Sequence, residues 1–183
     1  MDINVSSGLL NQARQQPSPN CDARPNEEDI SLIIIHGISL PPGKFGGNYI
    51  DQLFCNELNS NEHPYFKEIE GLKVSSHFLV RRDGEIVQYV PIHRRAWHAG
   101  VSNYKERECC NDFSIGIEME GEDNTPYTEI QYQVLVTIIK ALFSHYPKLN
   151  NQTLLGHSDV APGRKTDPGE AFDWEHLNKL LSV

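Results

Sequence analysis

The first strongly patterned segment is a run of four aliphatics, Leu32-Ile33-Ile34-Ile35, three of them β-branched. A run without alternation predicts a strand over 31–36 that is buried on both faces. Residues 37–48 hold Pro41-Pro42-Gly43 and Gly46-Gly47 and predict a loop. Ile50, Leu53, Phe54 and Leu58 recur at helical spacing, so a helix is expected over 49–58, with a second short one over 63–70. Segments 74–82 and 85–90 read as two strands of a hairpin closed at Asp83-Gly84, a dipeptide suited to positive φ. No period runs through 91–111, which is expected to be a long surface loop.

In the segment 113–119, Ile115, Ile117 and Met119 alternate with Gly116 and Glu118, and Glu120 continues the polar set. This is a strand with two unlike faces. The strongest helix signal opens at Thr128. Thr128-x-x-Gln131 is a capping box, and Tyr127 is placed to staple onto Tyr132. The apolar stripe Ile130, Val134, Leu135, Ile138, Ile139, Leu142, Phe143 then runs towards Pro147. Leu154-Leu155 predict a short strand and 173–181 a closing helix. Strands alternating with helices, plus one hairpin, imply an α/β domain with a mixed central sheet flanked by helices. Residues 31–183 are expected to form that single domain. Residues 1–30 are polar and read as an arm packed on it, with one short helix at Leu9, Leu10 and Ala13.

Composition narrows the function. A chain of 183 residues can bury a core without disulfide staples. Sixteen Lys and Arg against 25 Asp and Glu leave a net charge of −9, the opposite of a nucleic-acid scaffold. No apolar run approaches the ~20 residues of a membrane span. The N-terminal stretch lacks the cationic start and apolar core of a secretory signal. Cys21, Cys55, Cys109 and Cys110 show no CxxC spacing, so reduced thiols and a cytoplasmic location are expected.

Two of the eight histidines stand in a telling context. His36 ends the buried strand and opens the glycine-rich loop; His157 follows an apolar run and precedes a loop rich in Pro and Gly. Strand ends in α/β sheets are where ligands bind. Asp167 follows ten residues after His157. Two imidazoles and a carboxylate are ordinary zinc ligands, and three protein ligands leave one position for water. Neither HExxH nor CxxC spacing is present, so spacing alone leaves open that each histidine is only a satisfied polar residue. Glu118, within a strand, is either an exposed edge carboxylate or a general base with a raised pKa. Lys165 is either a solvated loop lysine or an oxyanion stabiliser. His77, within the hairpin, reads as a hydrogen-bonded structural residue. Trp97 in Trp97-His98-Ala99-Gly100 offers a flat face to a sugar, or else anchors its loop.

The segments IIIHGISLPPGKFGG (33–47), SSHFLVRRDGEIVQYVP (75–91), RAWHAGVSNY (95–104), NDFSIGIEMEG (111–121) and GHSDVAPGRKTDPGEAFDW (156–174) carry a more specific signal. In this order they resemble the zinc-dependent N-acetylmuramoyl-L-alanine amidases of the T7 lysozyme and peptidoglycan-recognition superfamily, over nearly the whole chain. The resemblance implies that fold, a bound Zn²⁺ held by His36, His157 and Asp167, water activation by Glu118 and transition-state stabilisation by Lys165. It places Trp97 in a substrate-contacting loop and Lys73 at a basic substrate contact. Gly37 stands where relatives carry Asn, and Cys109 where they carry Arg. The implied reaction is hydrolysis of the amide between 1,6-anhydro-N-acetylmuramic acid and L-Ala in soluble muropeptides during cell-wall recycling. The expected partner is that small molecule, with no nucleic acid and no membrane, and the chain is expected to act as a monomer. Lys73, Arg81, Arg82, Arg94 and Arg107 are candidate cations for the stem-peptide carboxylates. Alternatives are a binding-only module on the same fold, an amidase of intact peptidoglycan, or another metal hydrolase such as a peptidase.

Overall fold

A computed structural model describes residues 1–182. The central sheet has six strands: β1 (Arg14–Gln15), β2 (Leu32–Ile38), β3 (Phe78–Val80), β4 (Ile86–Gln88), β5 (Ser114–Glu120) and β6 (Leu154–Gly156). Their spatial order is β6-β2-β5-β3-β4-β1. β6, β2, β5 and β3 run parallel, and β4 turns back antiparallel to β3. The sheet is therefore mixed, as expected. Buried on both faces, β2 has no need to alternate. Ile33 and Ile35 join one core cluster, Leu32 and Ile34 another.

Five helices cover the sheet: α1 (Tyr49–Phe54), α2 (Pro64–Glu68), α3 (Glu129–His145), α4 (His157–Val160) and α5 (Trp174–Leu181). The capping box at α3 forms: Gln131 Oε1 accepts from Thr128 N (3.0 Å) and Thr128 Oγ1 from Gln131 N (3.3 Å). Leu135, Ile138, Ile139 and Leu142 of α3 pack with Ile33, Ile35, Ile115, Ile117 and Met119 of the sheet. Ile50, Leu53 and Phe54 of α1 and Phe66 of α2 pack with Leu79 and Val87 in a second cluster. Tyr127 and Tyr132 both pack on Phe172, at ring distances of 5.3 Å each, so this ring joins the two sides of the expected staple.

Three expectations are corrected. Leu9, Leu10 and Ala13 form no helix. Ile3–Asn4 and Leu9–Leu10 pair as a small antiparallel hairpin, with Gly8 at φ +67° in the turn and Leu10 buried in the core. Five residues held one apolar pair too few to support a helical stripe. The helix expected over 49–58 stops at Phe54, two residues before Asn56 adopts φ +61°. Finally, 91–111 is no plain surface loop. Arg94–Ala96 pairs with Cys21–Ala23, Asn103–Tyr104 with Arg107–Glu108, and Ile92, Ala96, His98 and Ala99 are buried. The N-terminal segment reaches deep into the domain: buried Arg24 donates to the carbonyls of Ile92, Asn111, Asp112 and Ser114.

Candidate metal centre and cleft

The parallel strands deliver three side chains to one place. His36 lies in β2 and Glu118 in β5, and the two are register partners, so both project from the same face of adjacent strands. His157 immediately follows β6 and opens α4. Asp167 comes from the following loop, held where its carbonyl accepts from Ser158 N at 3.0 Å. This is the carboxyl end of the parallel strands, where open α/β sheets bind ligands.

The nearest donor atoms form a tight triangle. His36 Nδ1 lies 3.0 Å from His157 Nδ1 and 3.2 Å from Asp167 Oδ2, and His157 Nδ1 lies 3.0 Å from Asp167 Oδ2. Four ligands at 2.0–2.1 Å around a tetrahedral zinc stand ~3.3 Å apart, so the triangle nearly has the required edge. The chemistry of the donors fits as well. His157 Nε2 lies 3.1 Å from the carbonyl of Ala99, which can only accept, so the proton is on Nε2 and Nδ1 presents a lone pair. With the Asp167 carboxylate, the site gathers electron-pair donors that a cation would satisfy. His36, His157 and Asp167 thus form a group that can hold a metal ion.

Electrostatics set the protonation states in the metal-free chain. Burial holds the His36 imidazole down to about 4, against the pull of Asp167. Burial would raise Asp167, but its close contacts with the His157 and His36 rings outweigh this and keep the group ionised far below the usual range. Burial pushes Glu118 well above its ordinary value, the negative charge of Asp167 adds to this, and Lys165 opposes it. Glu118 lies on a central strand between β2 and β3, so the reading as an exposed edge carboxylate is excluded.

These groups open into a cleft of about 630 Å³. Gly37, Leu40, Tyr65, Leu72, Asn124 and Lys165 are among its walls. Lys165 is the cation among the described lining residues. Lys73 lines a smaller neighbouring pocket of about 110 Å³ that shares Leu53, Ile69 and Leu72 with the cleft. Trp97 is half-buried beside the cleft wall; its backbone N–H donates to Ser75 Oγ and its indole N–H to Asp22. Arg81 is paired with Asp51 and Glu85, and Arg107 with Asp29. Neither these nor Arg82 and Arg94 line the cleft. At Gly37 a Cβ would meet Tyr127 Oη at 2.5 Å, so the missing side chain leaves that hydroxyl room to donate to Pro168 O. Cys109 stands exposed in the left-handed region, φ +58°, away from the cleft. His77 is structural, as expected: its Nδ1 accepts from Gly116 N at 3.0 Å.

The N-acetylmuramoyl-L-alanine amidase family matches residues 26–170. The chain belongs to this family. As an N-acetylmuramoyl-L-alanine amidase, it is 54% identical to the 1,6-anhydro-N-acetylmuramyl-L-alanine amidase AmpD of Citrobacter freundii over 178 residues, covering 97% of this chain and 95% of that one. A crystal structure of a selenomethionine AmpD derivative superimposes with a TM-score of 0.95 at 54% identity, covering 99% of both chains. AmpDh3 of Pseudomonas aeruginosa, solved in complex with anhydromuramic pentapeptide, aligns with a TM-score of 0.63 at 25% identity, covering 85% of this chain and 61% of that one. The amidase fold expected from the sequence is therefore the fold observed. Reasoning along the chain missed His98, whose ring touches His36, and Ala99, whose carbonyl meets His157. Only the alternation that leaves Gly116 bare on the Glu118 face hinted at a ring lying there.

Proposed function

We propose that the amidase is zinc-dependent and cleaves the amide between the lactyl group of 1,6-anhydro-N-acetylmuramic acid and L-alanine, as a cytoplasmic step in cell-wall recycling. The observation that carries the metal is the 3.0–3.2 Å triangle of His36, His157 and Asp167 donors beside a buried carboxylate. The sugar and the bond are supported by the relatives, named for this substrate over nearly their whole length.

Zinc bound by His36, His157 and Asp167 would supply Lewis-acid polarisation and a water acidic enough to ionise near neutral pH. Glu118 faces the same space. Its raised proton affinity suits it to take the proton from the attacking water and deliver it to the departing amine of L-alanine. The oxygen of that water becomes part of the lactyl carboxylate, and the C–N bond breaks. Lys165 lines the cleft, and its ammonium would stabilise the negative charge that develops on the carbonyl oxygen. Trp97 and Lys73, set beside the cleft and its side pocket, serve the sugar and the stem peptide at the edges of the site. A binding-only module is disfavoured because all three ligand positions and the base are filled.

The test is a side-by-side assay of anhydro-muropeptides against reducing-end muropeptides and intact peptidoglycan. Preferential cleavage of the anhydro substrates supports the recycling role. Equal or better cleavage of intact wall would overturn it and leave the amidase chemistry standing.

A further inference from the structure

The dipeptide His98–Ala99 reaches both histidines of the metal centre through different atoms. His98 Nδ1 lies 2.9 Å from His36 Nε2, and the carbonyl of Ala99 lies 3.1 Å from His157 Nε2. The dipeptide is itself anchored. The backbone N–H groups of His98 and Ala99 both donate to Asn111 Oδ1, at 3.1 and 2.8 Å. Arg164 Nη2 donates to the same Ala99 carbonyl at 2.6 Å, using its second lone pair. The His98 ring has a seat of its own: a Cβ on Gly116 would meet its Cγ at 2.5 Å and its Nδ1 at 2.6 Å. The bare strand position thus admits the ring edge-on to His36, at 5.0 Å between centroids.

Proton direction follows along the chain of contacts. Ser114 Oγ donates its one hydrogen to the carbonyl of Cys110 at 2.6 Å. It must therefore accept from His98 Nε2–H, 3.2 Å away. His98 Nδ1 is then a lone pair, and His36 Nε2–H donates into it. This leaves the His36 Nδ1 lone pair facing His157 and Asp167.

We propose that His98 is a positioning residue of the metal centre: seated over Gly116 and tied to Ser114, it holds His36 in the tautomer and orientation that turns its Nδ1 lone pair towards the metal. The proposal rests on the reading of His36, His157 and Asp167 as the zinc ligands. Outer partners of this kind typically contribute ~10–100-fold in metal affinity.

The experiment measures two things on the full chain: the ¹⁵N chemical shifts of the His36 ring in the metal-free protein, and the zinc dissociation constant by competition with a chelating dye. His36 should show the Nε2–H tautomer. His98→Ala should keep the fold, since Asn111 holds its backbone, yet bind zinc ~10–100-fold more weakly. His98→Asn, whose Oδ1 restores an acceptor near Nδ1, should recover most of that loss. A His36 Nδ1–H tautomer in the wild-type chain, or wild-type zinc affinity in His98→Ala, would overturn the proposal. If His98→Ala does not fold, Ser114→Ala is read the same way: a mixed His36 tautomer with weaker zinc binding supports the role, and no change in either overturns it. A wild-type chain that binds no zinc would overturn the metal-centre reading itself, and the proposal with it.

Discussion

Burial works against Glu118 being a carboxylate at all, and that conflict makes it both useful and costly. In the unfolded chain Glu118 has its ordinary pKa; in the metal-free fold it binds its proton more tightly. Its contribution to stability is thus fully present below the ordinary glutamate range and is lost as pH rises through the raised folded value. Glu118→Gln should keep zinc binding and lose ~10²–10⁴-fold in turnover. The metal-free variant should also melt above wild type at neutral pH, with the gap closing in acid. Wild-type turnover would show that the base lies elsewhere. Asp167→Ala tests the proposed third ligand: metal analysis should find zinc lost together with activity, and full zinc occupancy with normal turnover would refute the assignment. That His36, His157, Asp167, Glu118 and Lys165 come together in one cleft was legible only through the family-like segments that carry them; spacing alone left every one of them open. His98 was not legible because its meaning depends on Gly116 and Ser114 across the sheet, contacts that leave no local pattern.

The elements read most clearly were those whose environment is uniform along their length. β2 is buried from Leu32 to His36, and α3 carries a continuous stripe and a complete capping box. The elements misread were short and held by distant partners. The Leu9–Leu10 strand is fixed by Gln88, whose Oε1 accepts from Leu10 N at 2.8 Å across 78 residues. The interval 91–111 is organised by Arg24 and Asn111, which the hydrophobic pattern cannot reveal. Gln131 is the other polar anchor hidden from periodicity. Fully buried, it donates from Nε2 to the carbonyls of Val80 (3.2 Å) and Glu120 (3.0 Å), joining α3 to the ends of β3 and β5 beside the cleft. Gln131→Ala strands those acceptors, each at a cost of about 1–3 kcal/mol, and also removes half of the capping box. Thermal unfolding should show a fall of several degrees; an unchanged midpoint would mean that water replaces the amide.

For the whole molecule, the proposed metal centre would couple folding to pH and to zinc. His36 titrates near its ordinary value when unfolded and at about 4 in the metal-free fold. The unfolded chain therefore binds the extra proton, and the metal-free protein should lose stability progressively as pH falls from ~6.5 towards 4. A flat stability profile across that window would contradict the buried neutral imidazole. Zinc at 100 times its dissociation constant should add ~2.7 kcal/mol, so a chelator should lower the melting temperature reversibly. Despite a net charge of −9, the cleft offers Lys165 to an anionic muropeptide, whereas Arg81 and Arg107 are committed to internal ion pairs. The most direct test of the account is mass spectrometry of the products formed from an anhydro-muropeptide in H₂¹⁸O, with zinc, with chelator, and with zinc restored. The account predicts a peptide with a free N-terminal L-alanine and an anhydro-sugar carrying one ¹⁸O in its lactyl carboxylate, absent with chelator and recovered with zinc. Cleavage that persists in chelator, or label appearing at any other bond, would contradict it.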